Sequence, residues 1–162
     1  MSKTLITKIG FKSSYTFSRP ANTTAYGELD VISNSATNPT IISFEGVTEK
    51  NGSFSTIDQV TIVSDNPQSQ LTPTLLLFND PVASGNDNEA LSLSAADSLK
   101  IITVRSLSET IALGSGWASV LNSPIKISPT TTTLYAMMVD RFGFYQPISG
   151  ETFTITITGE FF

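Results

Sequence analysis

The chain has 162 residues, 14 acidic and 9 basic side chains for a net charge of −5, and neither cysteine nor histidine. One domain around a single core is the expected organisation at this length, and it must hold without disulfides. A thiol nucleophile, a Cys-ligated metal centre and any catalytic system built on imidazole are excluded within the chain, and the acidic balance argues against nucleic acid, whose affinity rests on neutralised phosphates.

Residues 1–10, MSKTLITKIG, lack the apolar stretch of roughly 7–15 residues that a secretory signal needs, and no window approaches the ~18 apolar residues of a membrane span. The expectation is a soluble protein made in a cytoplasm, with no membrane partner. The missing cysteine stays compatible with later exposure outside a cell.

Apolar residues recur with period two almost throughout and with period 3.6 almost nowhere, which predicts an all-β fold. In chain order the candidate strands are 4–9, 14–17, 40–45, 54–63, 73–78, 99–105, 120–127, 133–139 and 152–158, each bounded by Gly, Pro, Asn or Asp clusters. About nine short strands with regular turn signals read as a single antiparallel β-sandwich, jelly-roll-like in expectation. Within 54–63 the apolar positions Phe54, Ile57, Val60 and Ile62 change parity, which predicts a β-bulge near Asp58 and Gln59. Residues 75–78, LLLF, and 136–139, AMMV, are apolar on both parities, so their strands should be covered on both faces and central.

Two stretches carry weak helical signals: Ser94 to Asp97, as one capped turn, and 117–121. Asn51-Gly52, residues 84–88 and Ser149-Gly150 supply turn chemistry. The final strand is the most regular, with Phe153, Ile155 and Ile157 on one face and Thr152, Thr154, Thr156 and Thr158 on the other. Residues 1–28 and 79–98 are the least strand-like. The chain therefore divides into an N-terminal arm with the first strands, 1–28, and a sandwich, 29–162, within one domain overall.

Candidate chemistry is sparse. Ser123 to Lys126 fits S-x-x-K and Ser64-Asp65-Asn66 reads SDN, but the order is reversed, the Lys lies on a strand pattern and no KTG follows. Gly114-Ser115-Gly116 lacks the spacing of a nucleophile elbow and reads as a turn. Asp80, Asn86, Asp87, Asn88 and Glu89 offer oxygen ligands that suit calcium, though not in EF-hand order, and a solvated turn with Asx caps accounts for them better. A glycosidase needs only two carboxyl groups at a set separation, and 14 acidic residues leave that open. The expectation is no enzyme: no catalytic residue, no cofactor and no metal ligand.

The aromatic cluster Phe142, Phe144 and Tyr145 around Gly143 has two readings, a corner packed on its own core or a platform for a sugar or a protein interface. Phe161 and Phe162 at the end of the chain either dock on the domain or insert into a neighbour.

Residues 17–31, FSRPANTTAYGELDV, resemble a motif of tailed-bacteriophage virion proteins, F-x-R-P-A-(D/N)-T-T-A-Y-x-x-x-D-V. Residues 73–81, PTLLLFNDP, followed by DNEAL at 87–91, are similar to that family's middle, and residues 145–154, YQPISGETFT, to its closing strand. The tail GEFF departs from the acidic or polar end expected of the family. The resemblance implies a capsid decoration protein, also called cement or auxiliary head protein, on the exterior of the virion, whose partner is the major capsid protein. A cyclic oligomer on a local symmetry axis multiplies modest contacts, which favours a homotrimer.

Within the arm, Arg19 and Tyr26 are expected as a charged handle and an apolar anchor for a capsid subunit or sister chain, stiffened at Pro20. The other contact candidates are Pro20, Phe142, Phe144, Tyr145, Phe161 and Phe162. The competing expectation is that the arm covers an edge of its own sandwich. The rival function is a receptor- or carbohydrate-binding module of a phage tail or fibre. An aromatic platform open to solvent favours the rival, whereas a buried 142–145 corner and an arm reaching a neighbour favour decoration.

Overall fold

The computed structural model describes residues 9–67 and 71–162. Among them the period-two pattern becomes strands β1 (Gly10–Ser18), β2 (Val31–Ile32), β3 (Ile42–Phe44), β4 (Ser55–Ser64), β5 (Pro73–Phe78), β6 (Ile101–Ser106), β7 (Glu109–Ala112), β8 (Trp117–Leu121), β9 (Ile125–Ile127), β10 (Leu134–Asp140) and β11 (Thr152–Phe161). One helical turn, α1 (Ala95–Ser98), is capped as its sequence predicts: the Ser94 hydroxyl accepts from the Asp97 amide and donates to the Asp97 carboxylate. No helix among the described residues is long and apolar enough to cross a membrane.

Two antiparallel sheets face each other. The first runs β1-β11-β4-β8-β7, with β9 also on β4, and the second runs β2-β10-β5-β6, with β3 also on β10. The first strand thus lies beside the last. Between the sheets Phe153, Ile155 and Ile157 meet Ile57, Ile62, Leu75, Leu77, Ala136, Met138, Phe44 and Trp117 in one core.

The strands that are apolar on both parities are central. Leu76, Phe78, Met137 and Val139 face away from the main core into a second apolar cluster with Val31 and Val82, flanked by Leu91 and Leu93. The strand-poor stretch 79–98 is therefore the cover of the second sheet. The predicted bulge is also present: Thr158 pairs with Gln59 but Gly159 with Ile57, leaving Asp58 as the extra residue. Gly159 is required there, because a Cβ would lie 2.0 Å from the Thr56 carbonyl oxygen.

Three expectations need correction. Residues 117–121 form a strand and not a helical turn, since Trp117 and Ser119 alternate inward while the backbone pairs with β4. The candidate 120–127 is two strands, broken where Pro124 supplies no N–H for a ladder. The arm is, from Gly10 onward, part of the sandwich: β1 pairs residue for residue with β11 from Gly10↔Glu160 to Ser18↔Thr152. The candidate strand 4–9 lies outside the described residues except for Ile9. β2 and β7 are too short for periodicity to announce.

Along β11 the three apolar residues are fully buried and the threonines half-exposed, with Thr152, Thr154 and Thr156 sharing hydroxyl bonds with Ser18, Thr16 and Ser14 of β1. Phe153→Ala is expected to cost about 3–5 kcal/mol by leaving a cavity against Phe17 and Trp117, and Thr156→Ala under about 1 kcal/mol. Urea unfolding checks both; equal losses would mean that the threonine face is also covered.

Candidate functional site

Beyond β1 the ladder continues for one more bond, from the Arg19 amide to the Glu151 carbonyl, and the chain then turns at Pro20 across the end of the sandwich. It returns beside the segment that follows β10. Tyr26 and residues 144–145 exchange backbone bonds, the Tyr26 amide reaching the Tyr145 carbonyl at 3.0 Å and the Phe144 amide the Tyr26 carbonyl at 2.8 Å. Leu29 and Asp140 continue the pairing with a 2.7 Å bond.

Arg19, expected as a handle for a partner, lies inside. Its side chain and that of Asp87 are both completely buried, 3.0 Å apart. All five guanidinium donors are engaged: Nε on the Tyr26 hydroxyl, Nη1 on the carbonyls of Asn22 and Ile148, Nη2 on the side chains of Asn22 and Asp87. Asp87 also accepts from the Tyr26 hydroxyl at 2.6 Å and the Ser33 amide at 3.0 Å. Burial first, and then the Asp87 carboxylate, push the Tyr26 phenol far above its ordinary range. Neither Arg19 nor Tyr26 is available to another chain, because each is spent on the fold; Pro20 is half-buried.

A second buried polar cluster lies alongside. Glu151 is fully buried and accepts from the hydroxyls of Ser64 and Tyr145 and, at 3.3 Å, from the Asn66 amide. No cation is among these partners, and burial raises its carboxyl pKa. Trp117 donates to the Tyr145 hydroxyl at 3.3 Å, and the Tyr26 and Tyr145 rings, 6.1 Å apart, join the two clusters. The three motif segments, far apart in sequence, thus converge on one latch.

Over this latch the aromatic cluster divides. Tyr145 is buried, whereas Phe142 and Phe144 are 61% and 91% exposed. Phe144 has φ 69° and Leu29, itself 44% exposed, has φ 62°. A left-handed backbone costs a bulky residue on the order of 1–3 kcal/mol, and Phe144, almost wholly exposed, returns little burial for it. Gly143 makes the corner possible: at φ 74°, a Cβ would lie 2.7 Å from the Glu28 amide nitrogen. Arg141 places its guanidinium 5.3 Å from the Phe142 ring centre and donates to Ser106. The corner projects apolar side chains from a backbone tied to Tyr26 by hydrogen bonds.

At the other end of β11, Phe161 docks on its own domain, stacked 5.4 Å from Phe11, while Phe162 is 71% exposed. The other sequence candidates do not assemble. β9, which carries Lys126, pairs with the start of β4, whereas Ser64 ends that strand with its hydroxyl on Glu151. Gly114-Ser115-Gly116 is the turn of the β7–β8 hairpin. The calcium candidates point apart, with Asp80 on the Thr130 hydroxyl, Asn86 on Glu89 and Asp87 on Arg19. Among the described residues no group of three or more acidic side chains gathers to hold a metal.

Sequence reasoning missed Glu151, Ser64, Asn66 and Leu29 as parts of this site, and read Asp87 as a loop oxygen. The available signal was the resemblance itself, whose segments contain Arg19, Tyr26, Leu29, Asp87, Tyr145 and Glu151.

No family model matches the chain, and no curated protein matches it. Among solved structures it is similar to dimeric latent PorU from Porphyromonas gingivalis, at 14% identity and TM-score 0.33 over 99% of this chain, which spans 13% of the PorU chain. It is also similar to the acid-stable capsid structure of Helicobacter pylori bacteriophage KHP30, at 12% identity and TM-score 0.31, over 94% of this chain and 93% of that one. Neither likeness is close enough to carry an activity or a partner across.

Proposed function

We propose that the protein is a non-enzymatic structural component of a tailed-bacteriophage virion that binds the outer surface of the capsid and stabilises it, with the Phe142–Phe144 corner as its contact. The resemblance of residues 17–31, 73–91 and 145–154 to such proteins supports the class, and the convergence of those segments on one latch gives the resemblance a structural basis. The observation that carries the contact is Phe144, bulky, almost wholly exposed and held in a left-handed backbone by its bond to Tyr26. An apolar anchor whose backbone is held by hydrogen bonds, with few rotors to freeze, suits a pocket on a protein. Binding the assembled lattice better than loose subunits stabilises a shell by mass action, and many copies multiply a modest contact.

A second reading has its own observation. Phe142 and Phe144 are open to solvent beside Glu28, and residues 10–28 pack on their own sandwich, features that favour a receptor- or carbohydrate-binding module of a phage tail or fibre.

Phe144→Asn separates folding from binding, because Asn tolerates the left-handed region better than Phe. Thermal stability is expected to be unchanged or raised, while cosedimentation with capsids of the phage that encodes the chain falls at least tenfold, by about 1.4 kcal/mol or more of binding energy. Undiminished capsid binding by the variant rejects the corner as the contact. Wild-type protein that ignores capsids but binds host surface polysaccharide selects the second reading.

A further inference from the structure

We infer that β1 is a self-association edge, through which two copies of this chain join their first sheets antiparallel about a two-fold axis at Ser14. Among the described residues β1 is paired only on its β11 side. The Phe161 amide donates to the Ile9 carbonyl and the Arg19 amide to the Glu151 carbonyl, which fixes the odd-numbered residues as those bonded to β11. Backbone polar groups alternate sides along a strand, so the N–H and C=O groups of Gly10, Lys12, Ser14, Thr16 and Ser18 point out of the open edge.

The strand itself carries few of the features that protect an edge. Its nine residues contain no proline, their register with β11 runs unbroken from Gly10 to Ser18, and Lys12 is their only charge. Like charges directly opposite each other oppose strand pairing. The register centred on Ser14 avoids that conflict: Lys12 of one copy faces Thr16 of the other, Gly10 faces Ser18, and the even residues that carry free backbone groups meet each other. It also sets Phe11 opposite Phe17 of the second copy, next to the stacked pairs Phe11–Phe161 and Phe17–Phe153.

A second copy is the occupant that the edge fits in full. Among the described residues the other free edges of the same sheet, β7 and β9, have four and three residues, so pairing β1 with either would leave most of β1 unpaired and would build an open filament. Pairing β1 with itself uses all nine residues and closes. The resulting two-fold replaces the three-fold expected from shell geometry, and it is independent of what the aromatic corner binds.

Sedimentation of the full chain at tens of micromolar is expected to give twice the 17.4 kDa chain mass. Three variants test the register. Ser14→Pro removes an amide that faces outward and leaves the β11 ladder intact, so the protein should become monomeric with its β-sheet spectrum preserved. Thr16→Lys places a second ammonium opposite Lys12 and should raise the dissociation constant at least tenfold, with partial recovery in high salt. Ser14→Cys, the sole cysteine, should give a covalent dimer under mild oxidation. If Ser14→Pro does not fold, Thr16→Lys and Ser14→Cys decide. A wild-type monomer, a trimer, or a dimer that both Thr16→Lys and Ser14→Cys leave unaffected would overturn the inference.

Discussion

Arg19→Ala is expected to cost about 3–5 kcal/mol, because it strands a fully buried Asp87 carboxylate whose remaining partners are one hydroxyl and one amide. For a chain of this size that loss lowers the melting temperature on the order of 10 °C, measurable by calorimetry or circular dichroism. Arg19→Lys should lose most of the same energy: an ammonium has three donors and cannot serve Tyr26, Asn22, Ile148 and Asp87 from one plane. Asp87→Ala should be as damaging, and the double variant Arg19→Met with Asp87→Leu less damaging than the sum of the single losses, since neither leaves the other's charge unpaired. Additive losses would mean that the two side chains contribute separately and that the latch is not a unit. The loop ends it ties together carry Phe144, so a weakened latch should also reduce binding through the corner.

The all-β class was legible because period-two alternation and burial share one cause, the pleat of a half-buried strand. It served best on β11, where apolar residues and threonines alternate without interruption, and at Asp58, where the change of parity between Ile57 and Val60 marked the bulge. It also marked β5 and β10 as covered on both faces, although it did not show that residues 79–98 form the cover. Side-chain destinations were less legible. Arg19 read as a surface handle because a lone Arg in a small-residue segment is usually exposed, and its partner lies 68 residues away in an Asn- and Asp-rich stretch that resembles a solvated turn. The aromatics 142–145 offered no parity to read. The positive φ at Gly143 and Phe144 reverses the chain between neighbours, sending Tyr145 inward and Phe144 outward. Glu151, directly after Gly150, has the local look of a turn residue. Its burial depends on Ser64, Asn66 and Tyr145, which only the fold brings together.

Glu151 should give the protein an unusual response to pH. Its carboxyl is fully buried, and burial, the largest influence, raises its pKa above the ordinary 4.5, while hydrogen bonds from Ser64, Tyr145 and Asn66 act in the opposite direction. The folded state therefore holds this proton more tightly than the unfolded chain. The stabilisation that follows is fully present below the unfolded value of 4.5 and is lost as pH rises through the higher folded pKa. Asp140, whose pKa burial also raises, acts in the same direction. Most paired carboxylates do the reverse, so the measurement must isolate the group. Glu151→Gln preserves the shape and removes the charge, and its amide oxygen can still accept from the hydroxyls of Ser64 and Tyr145, which both donate to Oε1 of Glu151. It is expected to be more stable than the wild type at pH 8, with the difference shrinking as pH falls towards 5. Glu151→Ala should lose about 3 kcal/mol or more at either pH, because it opens a cavity and orphans the hydroxyl donors of Ser64 and Tyr145. Urea unfolding of the three proteins across this range checks the order Gln above Glu above Ala at pH 8. A Gln variant whose difference from the wild type does not change with pH would mean that Glu151 titrates alike in the folded and unfolded chain, and that its burial leaves no mark on stability.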